Sequence, residues 1–191
     1  MSKFLLLLGP SGVGKSSIIE ELIRLDSRFV YISPFMTRPL REGEKNKIPI
    51  SGEAMDEMSE RGEFLIINEL YGVRYATPRL PIKQALATGN FPILDWPINR
   101  VGVMTEAFPN QLYIVYVSPP SIEALQQRLA KDDRDAGGHR LRSARKELEM
   151  LESSRHSEIY DFEIVSEENQ VPKIAQTIYA NYLQQFFSQQ P

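Results

Sequence analysis

Short, almost wholly apolar runs alternate along the chain with longer stretches whose apolar residues recur every third or fourth position. KFLLLL (residues 3–8), FVYIS (29–33), FPILDW (91–96), LYIVYVS (112–118) and DFEIVS (161–166) are the short runs. Their length and uniform apolarity predict strands buried on both faces. KSSIIEELIRL (15–25) has helical spacing, as do PINRVGVMTEAF (97–108), SIEALQQRLAK (121–131) and VPKIAQTIYANYLQQFF (171–187). The basic run from His139 to Arg155 predicts one more helix before the last strand. Strands alternating with helices predict an α/β fold in which a parallel sheet is covered by helices on both faces.

Two segments interrupt the alternation. Residues 33–80 carry turn residues, a short helical pattern at 53–61, and the runs FLIINEL and VRYATP on either side of Tyr71 and Gly72. That spacing predicts a hairpin within a small inserted lobe. Met55 and Met58 stand three apart on the helical pattern, the spacing of residues that pack against such a lobe. KDDRDAGG (131–138) is a charged loop between two helices, the kind that closes over a substrate. The chain is therefore expected to be one domain over residues 1–191. Its core would comprise 1–33, 81–130 and 139–191, with the inserted lobe at 34–80 and a short lid at 131–138.

Charge and composition narrow the partners. Lys plus Arg number 22 against 25 for Asp plus Glu, a net charge of −3. That balance argues against nucleic acid or a polybasic membrane contact as the main partner. There is no cysteine, hence neither a disulfide framework nor a thiolate metal site. The run FLLLLG is too short to span a bilayer, so no membrane partner and a cytoplasmic location are expected. His139 and His156 have no partners at metal-ligand spacing and read as surface residues.

Candidate chemistry begins at GPSGVGKS (9–16), which fits G-x-x-x-x-G-K-[ST] between a predicted strand and a predicted helix. Glycines let backbone N–H groups turn inward around a phosphate, and the helix start adds its positive end. Gly9, Ser11, Gly12, Val13, Gly14, Lys15, Ser16 and Ser17 form the candidate ATP-binding set. Lys15 would reach the β- and γ-phosphates as the catalytic cation, and Ser16 would offer its hydroxyl to Mg²⁺. Asp95, at the end of FPILDW, stands where a second metal-side group belongs. A guanine-reading N-K-x-D is missing, since NKIP (46–49) has Pro49 in the Asp position; that favours ATP over GTP as donor.

MTRPLREGE (36–44) sets Arg38 and Arg41 three apart. Seen alone the pair reads as a solvated loop, although arginine's rigid fork also matches phosphate. With the phosphate loop and the inserted lobe, the chain resembles guanylate kinases over residues 3–185. The resemblance is carried by GPSGVGKSS, TRPLREGEKN, GEFLIINELYGVRYAT, ILDW, VSPPSIEALQQRL and YDFEIVSEE. It implies a core that holds ATP, a lobe that binds an acceptor monophosphate, and a lid. It places Arg38, Arg41 and Tyr75 on the acceptor's phosphate, and Arg134 and Arg140 among the lid arginines that neutralise the transferred group.

The resemblance fails where guanylate kinases read guanine. They use a glutamate, a hydroxyl and a second aspartate at positions that here hold Ile66, Pro34 and Pro97. Ile50 stands where the family has a phosphate-assisting tyrosine. Thr77 keeps a hydroxyl, and Ser33 could replace the missing one after a one-residue shift. Trp96 is either a stacking surface or core. The expectation is a kinase that transfers the γ-phosphoryl group of ATP, with Mg²⁺, to a monophosphate whose base need not be guanine. Its alternatives are an ordinary guanylate kinase acting on GMP and a non-catalytic binding module of the same fold. The chain would work as a monomer or homodimer.

Overall fold

Residues 4–70, 72–131, 138–153 and 159–187 are described by a computed structural model. The first apolar run forms β1 (Phe4–Leu8), with every side chain buried. It lies at the centre of a five-stranded parallel sheet with β2 (Phe29–Tyr31), β7 (Phe91–Asp95), β8 (Leu112–Ser118) and β9 (Phe162–Val165), in the order β2-β7-β1-β8-β9.

Alternate side chains of β1 point to opposite faces, and each face has its own core. Leu5 and Leu7 join Ile18, Ile19 and Leu22 of α1 (Lys15–Leu25), Leu125 and Leu129 of α5 (Ile122–Ala130), Ala144 of α6 (His139–Ser153), and Ile174 and Ile178 of α7 (Val171–Phe187). Phe4, Leu6 and Leu8 join Ile82 of α3 (Arg79–Ala87), Met104 of α4 (Val101–Ala107) and Trp96. On the first face Tyr182 is fully buried, its ring 5.2 to 5.8 Å from those of Phe29, Phe91 and Tyr113.

A second sheet is built within 35–78, in the order β4-β3-β6-β5: β3 (Phe35–Met36), β4 (Ile48–Pro49), β5 (Phe64–Leu70) and β6 (Val73–Pro78). β5 and β6 form the expected antiparallel hairpin. α2 (Gly52–Glu60) starts at Ser51, whose Oγ accepts the Ala54 N–H at 3.1 Å. Met55 is fully buried against Phe64 and Ala76, and Met58 packs on the same cluster. The expected helix at 97–108 is divided instead, with a 3₁₀ turn at Ile98–Arg100 leading into α4. Pro97 sits in extended backbone ahead of that turn, so the helix cannot begin there. No helix among the described residues is long and apolar enough to cross a membrane.

Asp26 ties three elements together. Its Oδ1 accepts from the Arg28 backbone and its Oδ2 accepts from Arg28 Nη2 at 2.6 Å and from the Tyr179 hydroxyl of α7 at 2.9 Å. The Arg28 guanidinium, first of several donors, holds the carboxyl pKa down to about 2 from an ordinary 3.8. Because the folded pKa is depressed, the stabilisation is complete above the unfolded value and disappears as pH falls from about 4 to about 2. Asp26→Asn should cost about 1–2 kcal/mol at neutral pH. Urea melts at pH 7 and pH 2.5 check this, with the gap to wild type narrowing at the lower pH.

Candidate active site

The loop between β1 and α1 is shaped by glycines in backbone conformations that side chains rarely adopt. Gly9 has φ 129°, and a Cβ there would meet the Val117 carbonyl oxygen at 2.2 Å. Gly14 caps α1 in the left-handed region, φ 94°, without a side chain to occupy the first-turn amides. Those N–H groups are thereby left for an anion. Ser16 and Ser17 stand exposed at the helix start. Val13 is buried, and its carbonyl accepts the Ser166 hydroxyl at 2.6 Å; Arg128 Nη2 holds the Ser166 carbonyl at 2.7 Å. The loop is therefore braced from β9 and α5.

Lys15 folds back over this loop, donating from Nζ to the carbonyls of Gly9 and, at 3.0 Å, of Pro10. Burial lowers its pKa; the Asp95 and Glu147 carboxylates oppose that, and Arg140 adds to it. Asp95 ends β7 beside Leu7 of β1, next to the strand that feeds the loop. Its Oδ1 accepts the Tyr31 hydroxyl at 2.8 Å.

The arginine loop is brought to the same place. Arg38 donates in a fork to Glu44, Nη1 to Oε2 at 2.6 Å and Nη2 to Oε1 at 2.8 Å, and its Nε faces the Tyr75 hydroxyl at 3.4 Å. The guanidinium holds the Glu44 carboxyl down to about 2. Glu44 also accepts the Arg41 backbone N–H at 3.2 Å. A cavity of about 320 Å³ runs from Ser16 and Tyr31 to Arg41 and Glu44. The phosphate loop and the arginine loop thus share one space.

From the other side, α6 reaches the loop where Arg140 Nε donates to Ser11 Oγ at 2.9 Å. Arg134 lies outside the described residues, as does His156. His139 opens α6 with its Nδ1 3.0 Å from Arg142. Farther along α6, Glu147 brings a carboxylate whose burial raises its pKa, the nearby Lys15 opposing. The buried Tyr116 hydroxyl beside it is its polar neighbour and also opposes that rise.

None of Ser33, Pro34, Ile66, Thr77 and Pro97 lines the shared cavity. Ile66 and Thr77 are cross-strand partners, Ile66 packing on the second core and Thr77 3 % exposed. Pro34 is buried, its carbonyl accepting the Ile48 N–H at 3.0 Å. Pro97 is half-buried ahead of the 3₁₀ turn. Trp96 is core: 4 % exposed, with Nε1 donating to the Arg100 carbonyl at 2.8 Å. No stacking surface is left there.

The residues present fit ATP and Mg²⁺. The inward-turned loop is a phosphate cradle whose backbone path depends on Gly9, packed too close to the Val117 carbonyl for any side chain. Mg²⁺ keeps several waters and takes one or two carboxylates together with phosphate oxygens. Asp95 and the exposed Ser16 hydroxyl are the residues that would hold it, with water and phosphate oxygens completing the shell.

Glu44, Ser166, Arg128, Glu147, Tyr116 and Tyr31 escaped sequence reasoning. Glu44 and Ser166 lie inside stretches already singled out, REGE and VSEE, where a side chain next to the motif was the available signal. The others carry no local mark.

Comparison with known proteins matches residues 1–186 to the sequence model of the guanylate kinase family. Curated guanylate kinases resemble the chain over most of both lengths. One from Symbiobacterium thermophilum is 35% identical over 169 residues, 86% of this chain and 77% of its own. One from Desulfitobacterium hafniense is 32% identical over 170 residues, 86% and 82%. A solved guanylate kinase from Anaplasma phagocytophilum superposes with a TM-score of 0.73 at 22% identity, over 96% of this chain and 86% of that one, a likeness of fold. A shikimate kinase from Acinetobacter baumannii shares the general architecture at a TM-score of 0.53 and 16% identity, over 97% and 95%.

Proposed function

The chain belongs to the guanylate kinase family and is a P-loop nucleotide kinase, and from that premise we propose that it transfers the γ-phosphoryl group of ATP, with Mg²⁺, to GMP. The observation that carries this reading is the shared cavity, which joins Ser16 of the phosphate loop to Arg41 and Glu44 of the arginine loop. Two phosphates held at its two ends would face each other for an in-line transfer, a reaction that needs positioning and charge neutralisation more than covalent help.

In this reading Lys15 leaves the Gly9 and Pro10 carbonyls for the β- and γ-phosphates. Arg38, Arg41 and Tyr75 hold the acceptor's phosphate, with Glu44 keeping the Arg38 fork in plane. Ser16 and Asp95 would hold Mg²⁺, which supplies charge neutralisation on the phosphate oxygens. Arg140 approaches the transferred group from α6, and the lid segment 131–138 contributes Arg134. Residues 34–80 act as the acceptor lobe.

A second reading rests on the acceptor pocket. Ile66, Pro34 and Pro97 have no side chain able to hydrogen-bond a base, and a site built on such bonds discriminates by about 10⁴–10⁵. Without them the preference for guanine is expected to be shallow, and another monophosphate could be the better acceptor.

ADP release from Mg-ATP tests both readings, with GMP, dGMP, AMP, CMP, UMP and ribose phosphates as acceptors and Lys15→Ala as background. Saturable turnover with GMP far above the rest supports the first. Comparable or higher turnover with another acceptor supports the second. Tight ATP binding without turnover on any acceptor would return the chain to the class of binding modules.

A further inference from the structure

Tyr31 is assigned no part in the reaction above, yet its place is unusual for a tyrosine on a short strand. Its ring packs against both cores, one on each face of the sheet. In register it pairs with Ile93, two residues before Asp95 on the neighbouring strand. From there the side chain reaches along the strand direction to the end of the sheet, where the hydroxyl meets Asp95 Oδ1 at 2.8 Å. The same residue lines the cavity with Ser16, Arg41 and Glu44.

A carboxylate at a strand end can turn about its last side-chain bond, and each orientation presents a different oxygen to the cavity. A donor fixed in the core removes that freedom. A phenol O–H donates and a carboxylate oxygen accepts, so the hydrogen bond fixes which oxygen of Asp95 is held.

We propose that Tyr31 is a positioning residue: its hydroxyl locks one oxygen of Asp95 so that the other faces Ser16 and the divalent cation that accompanies ATP. The inference rests on the reading of Asp95 as the metal-side carboxylate. Partners that orient a metal-side carboxylate in this way typically change metal affinity or activity by about 10–100-fold when removed.

The test uses the full chain with a non-hydrolysable ATP analogue, and reads bound against free Mn²⁺ by electron paramagnetic resonance. Tyr31→Phe removes one oxygen and keeps the ring that fills both cores, so its melting temperature should stay close to wild type. Its Mn²⁺ dissociation constant should rise about tenfold, while metal-free affinity for the analogue is unchanged. Asp95→Asn should weaken Mn²⁺ at least as much. Tyr31→Phe combined with Asp95→Asn should be no worse than Asp95→Asn alone, because the hydroxyl acts only through that carboxylate.

An Mn²⁺ affinity within twofold of wild type in Tyr31→Phe, with Asp95→Asn impaired, would overturn the positioning role and leave the Asp95 reading standing. Additive losses in the double variant would overturn it as well. An Asp95→Asn protein that binds Mn²⁺ normally would overturn both. If Tyr31→Phe melts more than a few degrees lower, the added variant Tyr31→Leu separates the effects. Loss of packing alone lowers its melting temperature further without moving Mn²⁺ affinity beyond that of Tyr31→Phe, whereas a metal affinity that tracks stability across the two variants overturns the proposal.

Discussion

Lys15→Ala should lower kcat for phosphoryl transfer by about 10³-fold or more, the loss expected when a site built on charge neutralisation is deprived of its central cation. The effect belongs in kcat, since the negative charge that Lys15 meets grows toward the leaving oxygen as transfer proceeds. Affinity for ATP should fall by much less, because the inward amides around Gly9 to Gly14 remain. The folded protein should tolerate the change. The ammonium is held by the Gly9 and Pro10 carbonyls at the cost of its hydration, and burial is the largest influence on its pKa. Lys15→Met keeps the side-chain stem without the charge and should match Lys15→Ala in rate. Neither variant should melt far below wild type. Rates across a range of Mg-ATP concentrations at saturating acceptor, together with a thermal melt, check these statements. A Lys15→Met enzyme with more than a tenth of wild-type kcat would remove Lys15 from the chemistry.

How much of this could be read along the chain depends on how local each feature is. The three inner strands of the main sheet were legible because parallel strands covered on both faces must be apolar throughout, as FLLLL and LYIVYVS are. The edge strands β2 and β9 form where their apolar runs predict strands but are exposed at alternate positions, not buried on both faces. α3 was not. RLPIKQALA is preceded by Pro78 and carries Pro81, two residues that read as breakers. In the structure Pro81 falls in the first turn, where its missing N–H costs nothing. β3 and β4 are two residues each, too short for any period to register.

The same division runs through the candidate site. Gly9 to Ser16 were legible because the phosphate loop is a single continuous motif whose spacing carries the mechanics. The partners of its residues come from distant strands and helices. Tyr31 meets Asp95 across 64 positions, and Ser166 meets Val13 across 153. Only the strand order brings β2 beside β7, and nothing in FVYIS marks its tyrosine as a partner of Asp95. Trp96 shows the reverse case. Next to Asp95 it reads as either a stacking surface or core, and the strand's alternation, continued one residue past β7, puts it in the core with Leu94.

Arg38→Ala should reduce kcat/KM for the acceptor by about 10³-fold while leaving the KM for ATP within a few-fold. Two charge-assisted hydrogen bonds to a phosphate, at roughly 1.5–3 kcal/mol each, account for a loss of about that size. Glu44 adds to it. In the wild type its carboxyl is held down to about 2 by the guanidinium, so it stays ionised through the neutral range with its charge matched. Removal of Arg38 leaves that carboxylate in place without its forked partner. Its pKa returns toward an ordinary 4.5, so at pH 7 it is still charged and now repels the incoming phosphate. Glu44→Gln added to Arg38→Ala should therefore recover about tenfold of the lost acceptor kcat/KM, the direction opposite to that of a second damaging change. Arg38→Lys restores the charge without the planar fork that Glu44 and a phosphate both match, and should still lose about 10²-fold. The depressed Glu44 pKa also sets the sign in acid. Its contribution to stability is complete above about pH 4.5 and is lost as pH falls toward 2. The wild-type acceptor KM should thus show no Glu44 titration between about pH 5 and pH 9. Steady-state kinetics of the four proteins at pH 7, with the wild type repeated across that range, check each step; no recovery in the double variant would mean that Glu44 does not face the acceptor's phosphate.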